Sequence, residues 1–276
     1  MIDVHSHILP GIDDGAKTFE HSVEIVRILA NQGVTEIIAT PHFVNDSIYM
    51  SSKADNAKLL KELQKRLEEE SIDVKIHLGN EIYIERNIKE LLKKRQITTM
   101  AGGAYLLIEL PLNDEFPNYI DIFGELMNSG YKVLLAHPER YAFCQEDFEK
   151  LMELSEMGVL LQCNLGSILG KYDKHAKKTL IRLAKEKMIF TFGSDIHSTR
   201  HPEEVARGIK KLHKYYSDEE LEELLVKNPQ TMIDSKAPVI KKSKTTKKKT
   251  ATKKTASKKA AKTKSKATKK KAAKKS

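Results

Sequence analysis

The sequence predicts an α/β fold, a distorted seven-stranded (β/α)7 barrel, on the basis of two patterns. Short apolar runs, several rich in Val and Ile, alternate with longer charged segments of helical periodicity. This alternation is typical of parallel strands connected by helices. In addition, polar residues of the kinds that bind metals follow most of the apolar runs, including the first and the last. A closed sheet makes the first and last strands neighbours, so it explains this shared set better than an open sheet does.

Seven strands and eight helices are expected in order along the chain. The strand candidates are the apolar runs at residues 2–7, 34–40, 73–79, 104–110, 132–137, 158–164 and 188–194. The helix candidates cover residues 18–32, 52–70, 85–95, 117–129, 146–157, 174–187, 202–215 and 218–227. The last helix is expected to begin at a capping box, because Glu220 follows Ser217 by three residues. It is expected to end at Asn228-Pro229, because proline disfavours a helical conformation in the residue before it.

The charge is divided unevenly along the chain. Residues 241–276 hold 18 lysines and no acidic residue, so the formal net charge of +10 divides into +18 for this segment and −8 for residues 1–240. We therefore expect a folded domain at residues 1–235 and a basic tail at residues 236–276. The tail is low in complexity and lacks aromatic residues, so it is expected to be disordered in isolation. Its charge favours binding to nucleic acid or another polyanion, and a passive solubilising tail is the alternative.

The cysteine content and the apolar runs indicate the compartment. Cys144 and Cys163 lie in a loop and in an apolar run, a placement that does not indicate a disulfide framework. A reducing compartment is the simpler interpretation. The sequence begins directly with a strand pattern, and no apolar run approaches the roughly 18 residues of a membrane span. A cytoplasmic protein without a transmembrane segment is therefore expected.

Nine residues with nitrogen or oxygen donor side chains follow or end the predicted strands. They are His5, His7, Asp14, His42, Glu81, Glu109, His137, Asp195 and His197. One histidine near a strand end is more often a hydrogen-bonded structural residue than a ligand. A barrel, however, brings all its strand carboxyl ends to one rim, and apolar residues would fill that rim at lower cost than unpaired carboxylates. The set predicts a multinuclear metal site, for which imidazole and carboxylate ligands permit Mn, Fe, Zn or Co.

Several polar residues have other interpretations. Glu109 lies inside the run LLIEL and could instead form a buried ion pair with an arginine. His77 lies in a strand and is expected to pack there or to support Glu81. The segment GSILGK at 166–171 has one residue too few between its glycines for a P-loop, so it is interpreted as a strand-end loop. The remaining histidines are expected to be solvated, and they are His21, His175, His201 and His213.

A series of motifs resembles a known superfamily. In chain order these motifs are HSHILPGIDDG, ATPH, GNEIY, LLIELP, LLAHPER, LLQCNLGSILG and GSDIH. They resemble the motif series of the polymerase and histidinol phosphatase (PHP) superfamily. Within it, they are most similar to the bacterial manganese-dependent protein tyrosine phosphatases of capsule and exopolysaccharide synthesis, the CpsB/CapC-like proteins. The resemblance covers about residues 1–232 and excludes the lysine tail.

The resemblance implies a PHP fold, which is TIM-like, with a trinuclear Mn²⁺ centre. It assigns the ligands to three groups: His5, His7, Glu81 and Asp195 to the first ion, Glu81, Glu109 and His137 to the second, and Asp14, His42 and His197 to the third. Asp13 is expected to support the site or its turn. The resemblance also implies that Arg140 and Arg200 bind the phosphate, although the segment HSTRHPEE is shorter before its arginine than in the relatives.

The implied activity is hydrolysis of phosphotyrosine by metal-activated water, on an autophosphorylated tyrosine kinase that controls capsule or exopolysaccharide synthesis. The cysteine route of other tyrosine phosphatases is excluded because no arginine follows either cysteine by six residues. Lys150 and Leu169 occupy those positions. Two alternatives remain open. One is another PHP-type phosphoesterase acting on histidinol phosphate or nucleic-acid ends, and the other is a nonenzymatic polyanion-binding protein.

Overall fold

The computed structural model describes residues 1–239. The predicted disorder of the basic tail and its predicted binding of polyanions concern residues that lie outside this range, apart from residues 236–239. Near the end of the described part, the Ser235 hydroxyl oxygen accepts a hydrogen bond from the Ala104 N–H at 2.8 Å. Among residues 1–239, no helix is both long enough and apolar enough to cross a membrane.

The fold is mixed α/β, and its strands pair in parallel throughout. In chain order the strands are β1 (Ile2–Ser6), β2 (Glu36–Ala39), β3 (His42–Phe43), β4 (Lys75–Leu78), β5 (Glu81–Tyr83), β6 (Tyr105–Glu109), β7 (Lys132–Ala136), β8 (Leu160–Asn164) and β9 (Ile189–Gly193). They form a three-stranded sheet in the order β1-β2-β4 and a six-stranded sheet in the order β3-β5-β6-β7-β8-β9. All seven predicted strands are present, and β3 and β5 are two further short strands that were not predicted.

Each of these two further strands begins at a predicted donor, after a short break that follows the preceding strand. β2 and β3 are separated by Thr40-Pro41, and β4 and β5 by Gly79-Asn80. Proline has no N–H to donate to a strand ladder, which breaks the pairing at Pro41. The Pro41 carbonyl instead accepts hydrogen bonds from the Glu81 N–H and from the Asn80 side chain. These two breaks change the direction of the backbone just before His42 and Glu81, which begin β3 and β5.

The first and last strands lie side by side. Ser6 forms an isolated parallel bridge with Ile196. The Asp195 N–H donates to the His5 carbonyl at 2.8 Å, and the His7 N–H donates to the Ile196 carbonyl at 3.1 Å. A closed barrel requires contacts of this kind between its first and last strands. A complete ladder closing the two sheets into one barrel remains a prediction.

Helices follow most of the strands. They are α1 (Phe19–Ala30), α2 (Lys53–Glu69), α3 (Ile88–Lys93), α4 (Tyr119–Asn128), α5 (Ala142–Glu146), α6 (Glu149–Glu156), α7 (Leu165–Leu169), α8 (Lys174–Lys185), α9 (Glu204–Leu212), α10 (Asp218–Glu222) and α11 (Asn228–Asp234). The predicted capping box is present at α10. There the Ser217 hydroxyl accepts from the Glu220 N–H, and the Glu220 carboxylate accepts from the Ser217 N–H at 2.8 Å.

Two local predictions are wrong. The segment predicted as a loop after β8 forms the short helix α7. The helix predicted to stop at Asn228-Pro229 continues instead through a π-helical segment, Glu223–Lys227, into α11. Pro229 lies in the first turn of α11, the part of a helix in which proline is best tolerated. The Asn228 side chain donates to the Phe190 carbonyl at 2.9 Å and ties this turn to β9.

The apolar core has two parts, divided by the sheet. Alternate strand residues belong to different clusters, with Leu107 and Leu134 in one and Leu106 and Leu135 in the other. Side chains alternate between the two faces of a strand, so both faces of these strands are buried. This explains why the strands appear in the sequence as continuous apolar runs. Polar side chains emerge where the runs end.

Candidate metal centre

The structure brings all nine predicted donors together at the carboxyl-terminal ends of the strands, and we call these nine residues the donor cluster. Glu81, at the start of β5, lies at its centre. Glu81 Oε2 lies 3.2 Å from His5 Nε2 and 3.3 Å from His7 Nε2. The same oxygen lies 3.0 Å from His42 Nδ1, and Glu81 Oε1 lies 3.0 Å from His137 Nε2. One carboxylate therefore faces four imidazoles from three places in the sheet, because His5 and His7 both lie at the end of β1.

Asp195 forms a second focus of the donor cluster, directly after β9. Its Oδ1 atom lies 3.5 Å from His5 Nε2, 3.4 Å from His7 Nε2 and 3.5 Å from His197 Nδ1. His5 and His7 thus face both Asp195 and Glu81. His5, His7, Glu81 and Asp195 are the four residues that the resemblance assigned to the first ion, and they lie close together here.

Asp14 and Glu109 complete the donor cluster at its edges. Asp14 Oδ1 lies 3.2 Å from His197 Nε2 and 3.4 Å from His42 Nε2. Glu109 lies 3.6 Å from His137 Nε2 and 3.8 Å from His42 Nδ1. Among residues 1–239, Glu109 pairs with these imidazoles and with no arginine, so the alternative of a buried Arg–Glu pair is wrong.

Three groups of donor atoms each lie within 4.8 Å of one another. They are His7, Asp14, His42 and His197 for the first, His5, His7 and Glu81 for the second, and His42, Glu81 and Glu109 for the third. The groups match the predicted number of three. Their membership differs in three respects: Asp195 is absent from the group of His5, His7 and Glu81, His7 also joins the Asp14 group, and His42 rather than His137 joins Glu81 and Glu109.

The donor set fits divalent cations. Glu81 Oε2 and His42 Nδ1 are buried and have no hydrogen-bond partner among the described residues, although they lie close to each other. Buried polar atoms are normally satisfied, because leaving one unpaired costs free energy. Converging oxygen and nitrogen atoms without thiolate are the ligands that Mn, Fe, Zn and Co accept. Cation binding would satisfy the unpaired atoms.

Of the two predicted phosphate-binding arginines, the structure places only Arg140 in contact with the donor cluster. Arg140 Nη1 donates to Asp195 Oδ2 at 3.1 Å, and its guanidinium lies 4.1 Å from the centre of the Tyr172 ring. Arg200 is exposed and lies on the wall of a cavity of about 440 Å³ above the donors. Arg140 and Lys171 also line this cavity, so positively charged side chains lie beside the candidate metal centre.

A comparison with known families identifies the chain. The family model described as capsular polysaccharide synthesis, CpsB/CapC, matches residues 1–234. The chain belongs to the CpsB/CapC family. It is 37% identical over 201 residues to tyrosine-protein phosphatase YwqE of Bacillus subtilis (strain 168), covering 72% of this chain and 78% of that protein. It is 33% identical over 230 residues to the putative tyrosine-protein phosphatase CapC of Staphylococcus aureus, covering 82% and 88%.

Solved structures agree with this assignment to the CpsB/CapC family. The chain matches, with a TM-score of 0.78 and 31% identity, a structure from a study of YwqE from Bacillus subtilis and CpsB from Streptococcus pneumoniae. Those proteins are described as unique metal-dependent tyrosine phosphatases, and the match covers 87% of this chain and 100% of that chain. A beta-aspartyl dipeptidase from Fervidobacterium islandicum matches with a TM-score of 0.53 at 12% identity, covering 84% and 74%, which indicates a shared fold alone. The predicted resemblance is confirmed.

The turn that carries Asp13 and Asp14 holds His7 in this CpsB/CapC chain. Asp13 Oδ2 lies 2.9 Å from His7 Nδ1 and accepts the His42 N–H at 3.2 Å, the supporting position expected of Asp13. Gly15 packs directly on the His7 backbone. A Cβ atom at Gly15 would come closer than 3.0 Å to the His7 carbonyl oxygen and to the His7 Cβ. Only glycine fits this contact.

Replacing Gly15 by alanine is expected to displace His7 and to destabilise the protein. Overpacking of this kind costs about 1–3 kcal/mol or more in free energy of unfolding. Chemical denaturation and the metal content of the purified variant measure the two effects. Gly124→Ala is the control, because a Cβ there meets nothing within 4 Å in the middle of α4. That change is expected to be neutral or stabilising by up to about 1 kcal/mol. A Gly15→Ala variant with wild-type stability and metal content would contradict this account.

Sequence reasoning missed the residues that support the donors from β8 and the segment after it. Gln162 Oε1 accepts from His5 Nδ1 at 2.8 Å and so directs His5 Nε2 towards the donor cluster. The Asn164 side chain donates to Asp195 Oδ2 at 2.7 Å, and the Tyr172 hydroxyl donates to the same oxygen at 3.0 Å. Gln162 and Asn164 are polar residues within the apolar run LLQCN, and this pattern could have indicated their supporting role. No sequence pattern singles out Tyr172.

The backbone is strained at two members of the donor cluster. His137 has φ 33° and Asp195 has φ 51°, in the left-handed region that residues with a side chain rarely adopt. Such strain persists where the surrounding structure determines the position, and it is concentrated at functional sites. Both residues directly follow a strand that ends one or two residues earlier. The strain turns their side chains into the cluster.

Without a cation, the donor cluster retains protons. Burial and the neighbouring Glu81 carboxylate raise the pKa of Glu109 to about 7. Burial opposes the protonation of His42, but the adjacent Asp14 and Glu81 carboxylates outweigh it and raise the pKa of His42 to about 10. Both groups therefore carry protons near neutral pH that must leave before the same atoms bind a cation.

Cation binding is consequently expected to release protons and to tighten as the pH rises. The sign follows from the raised pKa values of Glu109 and His42, because a rise in pH removes the competing protons. Titration calorimetry of the metal-free chain with Mn²⁺, in buffers of different ionisation enthalpy, measures the number of protons released between about pH 6 and 8. A binding constant that does not change with pH, with no proton release, would contradict this picture of the site.

Proposed function

We propose that this chain is a metal-dependent protein tyrosine phosphatase of capsule or exopolysaccharide synthesis. The observation that carries the proposal is the convergence of four imidazoles on Glu81 beside Arg140, in a cavity open to a substrate. The donor cluster holds Mn²⁺ in this proposal, and three ions are the number that the groups of donors support. The relatives named tyrosine-protein phosphatases support the assignment of the substrate class.

The bound ions would lower the pKa of water toward neutrality and neutralise charge on the phosphoryl group. The chain's own residues orient the reaction. The Arg140 guanidinium is planar and has five N–H donors, of which one is used on Asp195. Stacking on Tyr172 holds the rest of the guanidinium at the cavity, where it suits two phosphoryl oxygens at once. Arg200 is exposed on the cavity wall and provides a second contact.

The leaving group and the cysteines agree with this mechanism. A phenolate, with a pKa of about 10, leaves with little protonation, so no dedicated acid is required. Cys144 and Cys163 are buried, and burial raises the pKa of each thiol above its ordinary value. Neither cysteine is a thiolate nucleophile near neutral pH. Two free buried cysteines also support the proposed cytoplasmic location.

The substrate in this proposal is a phosphotyrosine protein, and the specific candidate is the cognate bacterial tyrosine kinase after autophosphorylation. The test uses the full chain with matched phosphotyrosine and phosphoserine peptides, with Mn²⁺ and after chelation. The expected result is hydrolysis that depends on metal and selects phosphotyrosine. Metal-bound protein that hydrolyses neither peptide would overturn the proposal. It would direct the search to small phosphoesters such as histidinol phosphate and to nucleic-acid ends.

A further inference from the structure

A second cavity, of about 420 Å³, adjoins the cavity above the donor cluster. The two cavities share four wall residues, which are Lys171, Arg200, His201 and Glu204. The second cavity adds Arg207 and Glu203 from the α9 side and is also lined by the apolar residues Leu169 and Pro202. Residues that flank a substrate bound at the metal centre would therefore lie next to the second cavity.

The charges in this second cavity are not balanced. Lys171 Nζ pairs with Glu204 Oε1 at 3.0 Å. Among residues 1–239, neither Arg200 nor Arg207 forms an ion pair with a carboxylate, and Glu203 is the one remaining acid on the wall. Two guanidinium groups are thus free in a concave site. A guanidinium that faces a cavity is well suited to a carboxylate or a phosphate, which it binds through two parallel hydrogen bonds.

Arg207 is presented by a fixed element of the fold. Helix α9 buries Val205 and Leu212 on its inner side. Gly208 packs against α7, since a Cβ at Gly208 would lie 2.9 Å from the Leu165 carbonyl oxygen. Lys171 follows α7 directly. The two walls of the second cavity are therefore held together by close helix packing, and the position of Arg207 relative to the candidate metal centre is set by that packing.

We propose that the second cavity is a subsite for an anionic side chain, a carboxylate or a phosphate, that flanks the phosphotyrosine in a protein substrate. This inference rests on the proposed phosphatase function and adds a determinant of substrate choice to it. Arg207 acts there as a specificity residue and has no contact with the donor cluster. Its removal leaves the reaction at the metal centre unchanged and alters only which peptides are preferred.

The test compares four substrates of the Mn²⁺-loaded full chain. They are an aryl phosphate without a peptide and three phosphotyrosine peptides flanked on both sides by glutamate, by glutamine or by phosphoserine. The wild type is expected to prefer the glutamate or phosphoserine peptide over the glutamine peptide by about fivefold in kcat/KM, an effect typical of a partly exposed ion pair. The preference should weaken as salt is added. Faster hydrolysis of the glutamate peptide would identify a carboxylate as the anion that this subsite binds. Faster hydrolysis of the phosphoserine peptide would identify a phosphate.

Arg207→Ala should lose this preference while hydrolysing the aryl phosphate at the wild-type rate. Lys210→Ala, an exposed cation of the same helix that does not line either cavity, is the matched control and should retain the preference. An equal rate on all three peptides in the wild type, or an unchanged preference in Arg207→Ala, would overturn the subsite. Hydrolysis of the aryl phosphate with none of any peptide would instead overturn the proposed protein phosphatase function, and the subsite with it.

Discussion

Replacement of Glu81 by glutamine is expected to lower kcat/KM on phosphotyrosine peptides by at least about a hundredfold, because it removes the carboxylate that four imidazoles face. Burial opposes the ionisation of Glu81, but the facing imidazoles, His5 first, hold its pKa well below the ordinary value. Glutamine has a similar shape and no charge. It cannot bridge two cations, so the purified variant is expected to contain fewer metal ions per chain, as measured by atomic emission.

The matched control for this prediction is Glu36→Gln. Glu36 also pairs with a histidine, because its Oε2 atom lies 2.7 Å from His77 Nε2. Glu36 lies at the start of β2, the end opposite to the donor cluster, so the control variant should keep its metal and its activity. The same contact shows that His77 does not support Glu81, which was one of its two expected roles. A Glu81→Gln variant with full metal content and more than half of the wild-type activity would contradict the role proposed for Glu81.

Replacement of Arg140 by lysine is expected to lower kcat/KM by about tenfold to a hundredfold while the metal content stays at the wild-type level. Lysine keeps the charge but loses the planar group that stacks on Tyr172 and binds two phosphoryl oxygens. Inhibition by inorganic phosphate, the product, should weaken in parallel. Steady-state kinetics and phosphate inhibition constants measure both effects.

Arg200→Lys is the comparison for Arg140→Lys, because Arg200 is exposed on the cavity wall. Its effect is expected to be smaller, about threefold. Because Arg140 also contacts Asp195, the metal content of the Arg140 variant separates a lost phosphate contact from a disturbed metal centre. Equal effects of the two substitutions, or loss of metal in Arg140→Lys, would contradict the assignment of Arg140 as the main phosphate-binding side chain.

The donor cluster could be predicted from the sequence because its members share one local signal. Most of them lie at or just after the end of an apolar run, and parallel strands bring such ends together without any further information. Residues such as Gln162 and Tyr172 could not be placed in the same way. Their partners, His5 and Asp195, belong to other strands, and the contacts depend on the side-by-side position of β1, β8 and β9.

The predictions that failed depended on local backbone chemistry. Pro229 predicts a helix end when only its own neighbours are considered, but a π-helical segment before it changes the register and leaves proline in a first turn. The grouping of His42 with Glu81 and Glu109 depends on the interruption at Pro41, which no periodicity reveals. The positions of the strand ends could therefore be predicted from the sequence. The direction in which each donor side chain points could not.

The central claim is that the donor cluster is a trinuclear metal centre, and anomalous X-ray diffraction from crystals of the Mn²⁺-loaded chain tests it most directly. Three anomalous peaks are expected within the cluster, with Glu81 adjoining at least two of them. Fewer than three peaks would contradict the trinuclear centre. Crystals saturated with Mn²⁺ that show no peak among these nine residues would contradict the proposed metal-dependent mechanism itself.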